Sequence, residues 1–296
     1  MYRKVLSRLF EFKKICTENA AYIIKVSDAS WKNIDFSQNE PEIIRQYLMN
    51  NNVGIDYLNK NLAQILSQRR FVVKFASVYI HQKPIITRES GGKCEIGDLL
   101  VIFSFFDRSK NPIINRAFIM QAKKEFKIGN ICQQELYEND LKFYFPKNLY
   151  KQSLCCNTDS VRYWPKYWEN RSRGLKYLIL KDYGPIVRFL PWDTQIHAYW
   201  SLIFLWTLLG NSALRFSRQP YHPCQNWSAI IWDLITVTGI ALTKKQKRGQ
   251  YINHLMTIVN EFNEFDKFHH YTKMIDGGEG GLPIMLIMVQ DEEFKV

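Results

Sequence analysis

Cys94-Glu95-Ile96-Gly97-Asp98-Leu99-Leu100-Val101-Ile102-Phe103 and Ala117-Phe118-Ile119-Met120-Gln121-Ala122-Lys123-Lys124 are the stretches whose reading decides the fold. Both are short apolar runs rich in β-branched and aromatic residues, the pattern of buried strands. Between them Asp107 to Asn115 is rich in Asn, Ser and Pro and closes a hairpin. Each strand carries polar residues that a core does not need. Asp98 stands at the mouth of the first, and Gln121 and Lys123 stand two apart at the end of the second. Side chains alternate faces along a strand, so Gln121 and Lys123 share one side and Met120 and Ala122 the other. Pairing of the strands brings an acid, a neutral oxygen ligand and an ammonium to one point.

Working outward, Phe71 to His81 reads as a strand, and the turn Ser90-Gly91-Gly92-Lys93 delivers the chain into the Asp98 strand. Ile131 to Asp140 is helix-like and Gly174 to Lys181 is a further strand. Strand, strand, strand, helix, strand fits a three-layer α/β core. Upstream, helical spacing covers Tyr2 to Val26, Pro41 opens a helix to Asn50, and another runs from Ile55 to Gln68. Downstream, apolar helical segments fall at 194–209, 226–239 and 248–263, and a last strand runs from Leu282 to Gln290 after the glycine cluster 277–281. The expected organisation is an N-terminal helical segment (1–70), a core (71–190) and a mostly helical C-terminal region with a final strand (191–296). If that strand completes the same sheet, the three form one continuous domain.

With 46% hydrophobic and 15% aromatic residues in 296, the chain is a folded protein with a sizeable core. Forty basic against 28 acidic residues give a formal charge of +12, which favours polyanions. Six scattered cysteines form no CxxC pair, as expected of a cytoplasmic protein with reduced thiols. The N-terminus lacks the apolar core of a signal peptide, and Ile196 to Leu209 is too short to span a membrane, so a buried core helix is expected there. The glycine cluster lacks the Gly-Lys-Ser/Thr ending of a phosphate loop. No Walker, Rossmann, kinase or nucleophile-elbow pattern is present, which argues against a nucleotide-driven motor.

Hydrolysing a phosphodiester at neutral pH requires an activated water and a stabilised anionic transition state, both of which a bound divalent cation supplies. Mg²⁺ takes hard oxygen ligands. Asp98 offers a carboxylate, Gln121 an amide oxygen and Ala122 a backbone carbonyl, and Lys123 places an ammonium beside them. Gly97-Asp98 with Gln121-Ala122-Lys123 resembles the PD-(D/E)xK nuclease superfamily in its Gln-x-Lys variant, over roughly residues 71–181. The resemblance implies a restriction-endonuclease-like mixed sheet flanked by helices, and Mg²⁺- or Mn²⁺-dependent hydrolysis of DNA. It makes Asp98 the principal metal ligand, Gln121 the replacement of a second acid, and Lys123 the catalytic lysine. It also implies a helix-borne acid before the core, for which Glu42 is the first candidate and Glu40 and Glu89 are weaker ones. Gly97 stands where the family has proline. Glu95 and Gln134 are candidate supporting residues, Glu95 through a bulge at Gly97.

Two basic clusters are candidate nucleic-acid contacts beside Lys124. One contains Arg162, Trp164, Lys166, Arg171 and Arg173, and the other Lys244, Lys245, Lys247 and Arg248. The expected partners are DNA, with RNA as the lesser alternative, and either a second copy of the chain or a regulatory protein, with no membrane. The resemblance further suggests a regulated effector of prokaryotic antiviral defence. The competing expectation is a catalytically inactive nucleic-acid-binding or scaffolding subunit, which Gln121 in place of an acid favours.

Overall fold

A computed structural model describes residues 2–80, 84–127, 129–145, 161–217, 226–243 and 281–293. The apolar strands assemble a large mixed sheet. Its order is β1 (Phe71–Val78), β12 (Ile284–Asp291), β4 (Leu99–Phe106), β5 (Pro112–Lys123), β8 (Leu175–Ile179), β9 (Ile186–Arg188) and β10 (His197–Tyr199), with β11 (Leu214–Phe216) also on β5. β4 and β5 form the expected antiparallel hairpin, with Leu99 opposite Met120. The helix α6 (Ile131–Glu138) then leads on to β8, which lies parallel to β5.

Every residue of β4 and β12 is buried, because both faces of the sheet are covered, and such strands read as continuous apolar runs. Leu99, Val101, Phe103 and Phe105 point into one core with Met285, Ile287 and Val289, while Leu100, Ile102 and Phe106 point into the other with Ile284, Leu286 and Met288. The first core is closed by α1 (Tyr2–Glu18), α2 (Ala20–Ala29), α3 (Glu40–Met49), α4 (Gly54–Leu58) and the later helix Trp200–Leu208. The second lies under helix Trp227–Thr243, α6 and a four-stranded antiparallel sheet. That sheet has the order β3 (Lys93–Glu95), β2 (Ile85–Arg88), β6 (Lys142–Tyr144) and β7 (Val161–Tyr163).

β12 is the largest topological finding. It lies between β1, antiparallel, and β4, parallel, so strands from the expected core and from the expected C-terminal region share one sheet. Arg8 of α1 grips Asp291 of β12 through Nε and Nη2, at 2.8 and 2.9 Å. The boundary expected between 190 and 191 is therefore crossed by the sheet itself.

Three local features follow from side chains. Asn39 caps α3 by accepting the Glu42 N–H at 3.0 Å, with Pro41 in the first turn. The expected 55–68 helix contains a π turn, Asn59–Ala63, between α4 and α5 (Gln64–Leu66). There the Asn59 amide bonds both the N–H and the C=O of Phe75, at 2.9 and 2.7 Å, and stands in for a missing strand on the open edge of β1. The apolar run from Ile196 does not begin as a helix. Gln195 is left-handed (φ 56°), β10 pairs with β9, and the helix starts only at Trp200. Numbering the remaining helices in chain order gives α7 (Trp168–Gly174), α8 (Trp200–Leu208) and α9 (Trp227–Thr243).

Candidate active site

The hairpin places the expected residues together. Asp98 ends the turn before β4 and is anchored by its N–H to the Met120 carbonyl at 2.7 Å. Its Oδ2 accepts from the Ala122 N–H at 2.6 Å and from Gln121 Nε2 at 2.5 Å. Asp98 and Gln121 are both buried, at 4% and 1% exposure. Since Gln121 Nε2 is fixed by the carboxylate, its Oε1 is the free end of the amide. It is buried and has no hydrogen-bond partner among the described residues, a costly condition for an amide oxygen.

Past Leu99 the β4 chain leaves the sheet, so the edge of β5 facing it loses its strand neighbour. Carboxylates take over. The Ala122 N–H goes to Asp98, and the Lys124 N–H goes to Glu40 Oε1 at 3.1 Å. Amides two apart on a strand face the same edge, roughly 6–7 Å from each other. Two acids thus line this edge, with the Ala122 carbonyl leaving the chain between their two amides. Of the candidate acids Glu40 and Glu42 on α3, Glu40 is the one that reaches this edge. Glu42 is turned to Arg45, whose Nε and Nη2 it accepts at 2.7 and 2.5 Å, because the α3 N-terminus docks on the strand end through its first residue. Lys124 is drawn to the same loop, its Nζ donating to the Ser37 carbonyl at 3.1 Å.

Lys123 leaves β5 on the face of Gln121, as alternation requires, and its Nζ donates to Gln133 Oε1 at 2.7 Å. A neutral partner positions the ammonium without cancelling its charge. The supporting glutamine is thus Gln133 rather than Gln134. Gln133 is buried and faces the sheet, whereas Gln134 bonds Glu138 along the helix at 3.2 Å. The N-cap Asn130, accepting from the Cys132 N–H at 3.0 Å, fixes the helix start and hence that choice. Glu95 does not come round through a bulge: it belongs to β3 in the second sheet, opposite Ile85.

Gly97 has a steric reason. A Cβ there would lie 2.4 Å from Ile119 Cγ2 and 3.2 Å from the Tyr137 hydroxyl. The turn is pressed onto β5 and propped from below by Tyr137, which donates to the Ile96 carbonyl at 2.9 Å. Burial first, then the Asp98 charge, push the Tyr137 phenol well above its ordinary pKa, so it remains a neutral prop.

The basic-aromatic cluster is largely internal. Arg162 is fully buried against Asp233 of α9 at 2.6 Å, and Trp164 is in the second core. Arg171 is buried, with Nη1 on the Glu138 carbonyl at 2.9 Å. These three are corrected from nucleic-acid contacts to internal supports. Lys166 and Arg173 are exposed, Arg173 being paired with Glu169 at 2.8 Å. Lys244, Lys245, Lys247 and Arg248 lie outside the described residues.

Lys176, part of the same basic run, is fully buried, and its Nζ donates to the Ser172 and Arg173 carbonyls at 3.0 and 2.6 Å, at the end of α7. Burial, then Arg173, bring its pKa down to about 7. The unfolded chain holds this proton up to about pH 10, so it binds more protons than the native state between pH 7 and 10. This residue's contribution to stability therefore rises with pH across that window, by on the order of 2–4 kcal/mol. The buried thiols Cys16 and Cys94, both pushed up to about 12 mainly by burial, act in the opposite sense at alkaline pH. Urea unfolding of the parent and Lys176→Met from pH 7 to 10 isolates the lysine. The difference between the two should shrink steadily as pH rises, and a constant difference would show that Lys176 is not neutral in the fold.

Comparison of the chain with protein-family models, with curated proteins and with solved structures gave no match. No described helix is long and apolar enough to cross a membrane. Among the described residues no group of three or more His, Cys, Asp and Glu side chains is placed to hold a metal ion. The donor set at β5 is of another composition: two carboxylates, a backbone carbonyl and an amide oxygen. All are hard oxygen donors of the kind Mg²⁺ or Mn²⁺ takes. The unpartnered Gln121 Oε1 is the feature that a cation would satisfy.

Proposed function

We propose that the chain is a metal-dependent nuclease that hydrolyses DNA phosphodiesters, of the restriction-endonuclease-like kind its Gln-x-Lys motif resembles. The observation carrying this reading is the convergence of Asp98, Gln121, the Ala122 carbonyl and Lys123 at one end of the hairpin, with a buried amide oxygen left without a partner. Asp98, Glu40, Gln121 and Ala122 would hold Mg²⁺ or Mn²⁺, which when bound lowers the pKa of water and offsets phosphate charge. Lys123 contributes a fixed ammonium, oriented by Gln133, beside the attacked phosphate, where negative charge grows in the transition state. Asp98 and Glu40 hold the β5 edge in register, and Tyr137 holds the turn that presents Asp98.

One observation favours a second reading. The Gln121 amide already satisfies Asp98 Oδ2, as a site that binds nucleic acid without metal would. The deciding experiment incubates purified protein with plasmid and linear DNA in Mg²⁺, Mn²⁺ or EDTA. Metal-dependent cutting is the expected result. Tight, salt-sensitive DNA binding with no cutting under any cation would replace the nuclease by the inactive binding subunit.

A further inference from the structure

Three residues beyond Lys123 the chain reaches Phe126, which forms one wall of a cleft of about 370 Å³. The other walls are Arg188, Trp192, Asp193, Gln195 and His197, from β9, the 3₁₀ turn Trp192–Thr194 and β10. Arg188 is 7% exposed. Its Nε and Nη2 both donate to the Trp192 carbonyl, and its guanidinium lies over the Trp192 ring at 4.0 Å. Nη1 has no hydrogen-bond partner among the described residues, so a rigidly held guanidinium that lines the cleft keeps a donor to offer. His197 spends Nδ1 on the Gln195 carbonyl at 2.8 Å, which fixes that nitrogen as the donor and presents Nε2. Phe126 is 42% exposed, with Lys181 Nζ 5.6 Å from its centroid and the His197 ring edge-on at 6.2 Å. Trp192 is tied to α6 by its N–H on Glu138 Oε1 at 2.7 Å, so the helix that orients Lys123 also braces the cleft.

We propose that this cleft is a nucleotide subsite: it takes one unpaired nucleotide, base against Phe126 and phosphate toward Arg188 and Lys181. The chemistry selects that class. An apolar ligand would cover the Arg188 donor, on a side chain with little solvent contact of its own, without pairing it. A simple anion would meet the Asp193 carboxylate, whereas a nucleotide offers that acid an amino or hydroxyl donor. The volume falls within the range of small-ligand clefts, and an exposed aromatic ring rimmed by cations is the stacking platform that unpaired bases use. A paired base hides its faces, so the ligand is single-stranded, frayed or free. Three residues of chain reach at most about 10 Å, which places the cleft beside Lys123 and makes a nucleotide flanking the cut its natural occupant. This deepens the nuclease reading and rests on it for that placement alone.

The test is equilibrium binding in EDTA, where cleavage plays no part. Fluorescence anisotropy compares a labelled single-stranded oligonucleotide with a blunt duplex of equal length, for the parent chain, Phe126→Ala and Phe126→Trp. Loss of one base stack is expected to weaken single-strand binding by roughly 5- to 100-fold, with duplex binding within twofold and tryptophan restoring the parent value. Phe126 is an exposed residue, and circular dichroism verifies that the variants fold. Displacement of the strand by deoxyadenosine monophosphate would show that a free nucleotide suffices. No displacement, with the Phe126→Ala loss intact, would show that the subsite reads a nucleotide within a strand. Single-strand binding unchanged in Phe126→Ala, an equal loss for strand and duplex, or no rescue by tryptophan would each overturn the subsite and leave the nuclease reading standing.

Discussion

Lys123→Ala is expected to lower metal-dependent DNA cleavage by ~10²- to 10⁴-fold while the fold and DNA binding persist. The side chain is half-buried and its hydrogen-bond partner among the described residues is the neutral Gln133, so truncation removes an ammonium from the site without stranding a buried charge. Asp98 needs a different substitution. Its carboxylate satisfies the Ala122 N–H and the Gln121 amide in a buried setting. Asp98→Ala would leave both without acceptors, at about 1–3 kcal/mol for each. Asp98→Asn keeps an oxygen at that place and removes the charge, so cleavage should vanish with little change in melting temperature. Glu40→Gln should raise the Mg²⁺ concentration needed for half-maximal rate, whereas Glu42→Gln, with its carboxylate on Arg45, should not. Unchanged rates in both Lys123→Ala and Asp98→Asn would show that any cleavage arises elsewhere.

The parts of this site that were legible in the sequence are those set by nearest-neighbour geometry. Strand alternation alone puts Gln121 and Lys123 on one face. A tight polar turn alone puts Asp98 beside them. What was not legible depends on docking between distant elements. Glu40 and Glu42 sit in the same helical turn, and only the seating of α3 against the end of β5 selects Glu40. Gln133 and Gln134 differ by about 100° around a helix, and the Asn130 cap with the sheet beneath decides between them. β12 reads as a strand from its own residues, yet its place between β1 and β4 is a pairing across roughly 180 to 220 residues that no local pattern encodes. The large mixed sheet flanked by helices and a last strand were expected, but the place of that strand, second from the β1 edge, was not.

The same limit governs the basic-aromatic run, where arginine beside tyrosine and tryptophan reads as a nucleic-acid grip. Arg162 has its counter-ion 71 positions away, on α9, and that partner puts it inside the protein. Its Nε meets Asp233 Oδ2 at 2.6 Å, Nη1 donates to the Val161 carbonyl at 2.6 Å, and the guanidinium lies 5.8 Å from the Phe145 ring. Both members of the pair are essentially without solvent contact. Removing one leaves a desolvated charge, so Arg162→Ala and Asp233→Ala should each cost about 3–5 kcal/mol of stability, measured as a lower urea midpoint. Replacing both partners together, Arg162→Met with Asp233→Leu, should recover most of that loss, because the double variant buries no unpaired charge. A surface contact behaves otherwise: Arg162→Ala would then melt like the parent and bind DNA more weakly, with a shallower dependence on salt. The pair joins β7 of the small sheet to α9, which in turn holds the start of β12 through Thr238 Oγ1, accepting from the Leu282 N–H at 2.9 Å. Its loss should therefore loosen the layer that packs over Leu100 and Ile102, on the strand that opens at Asp98.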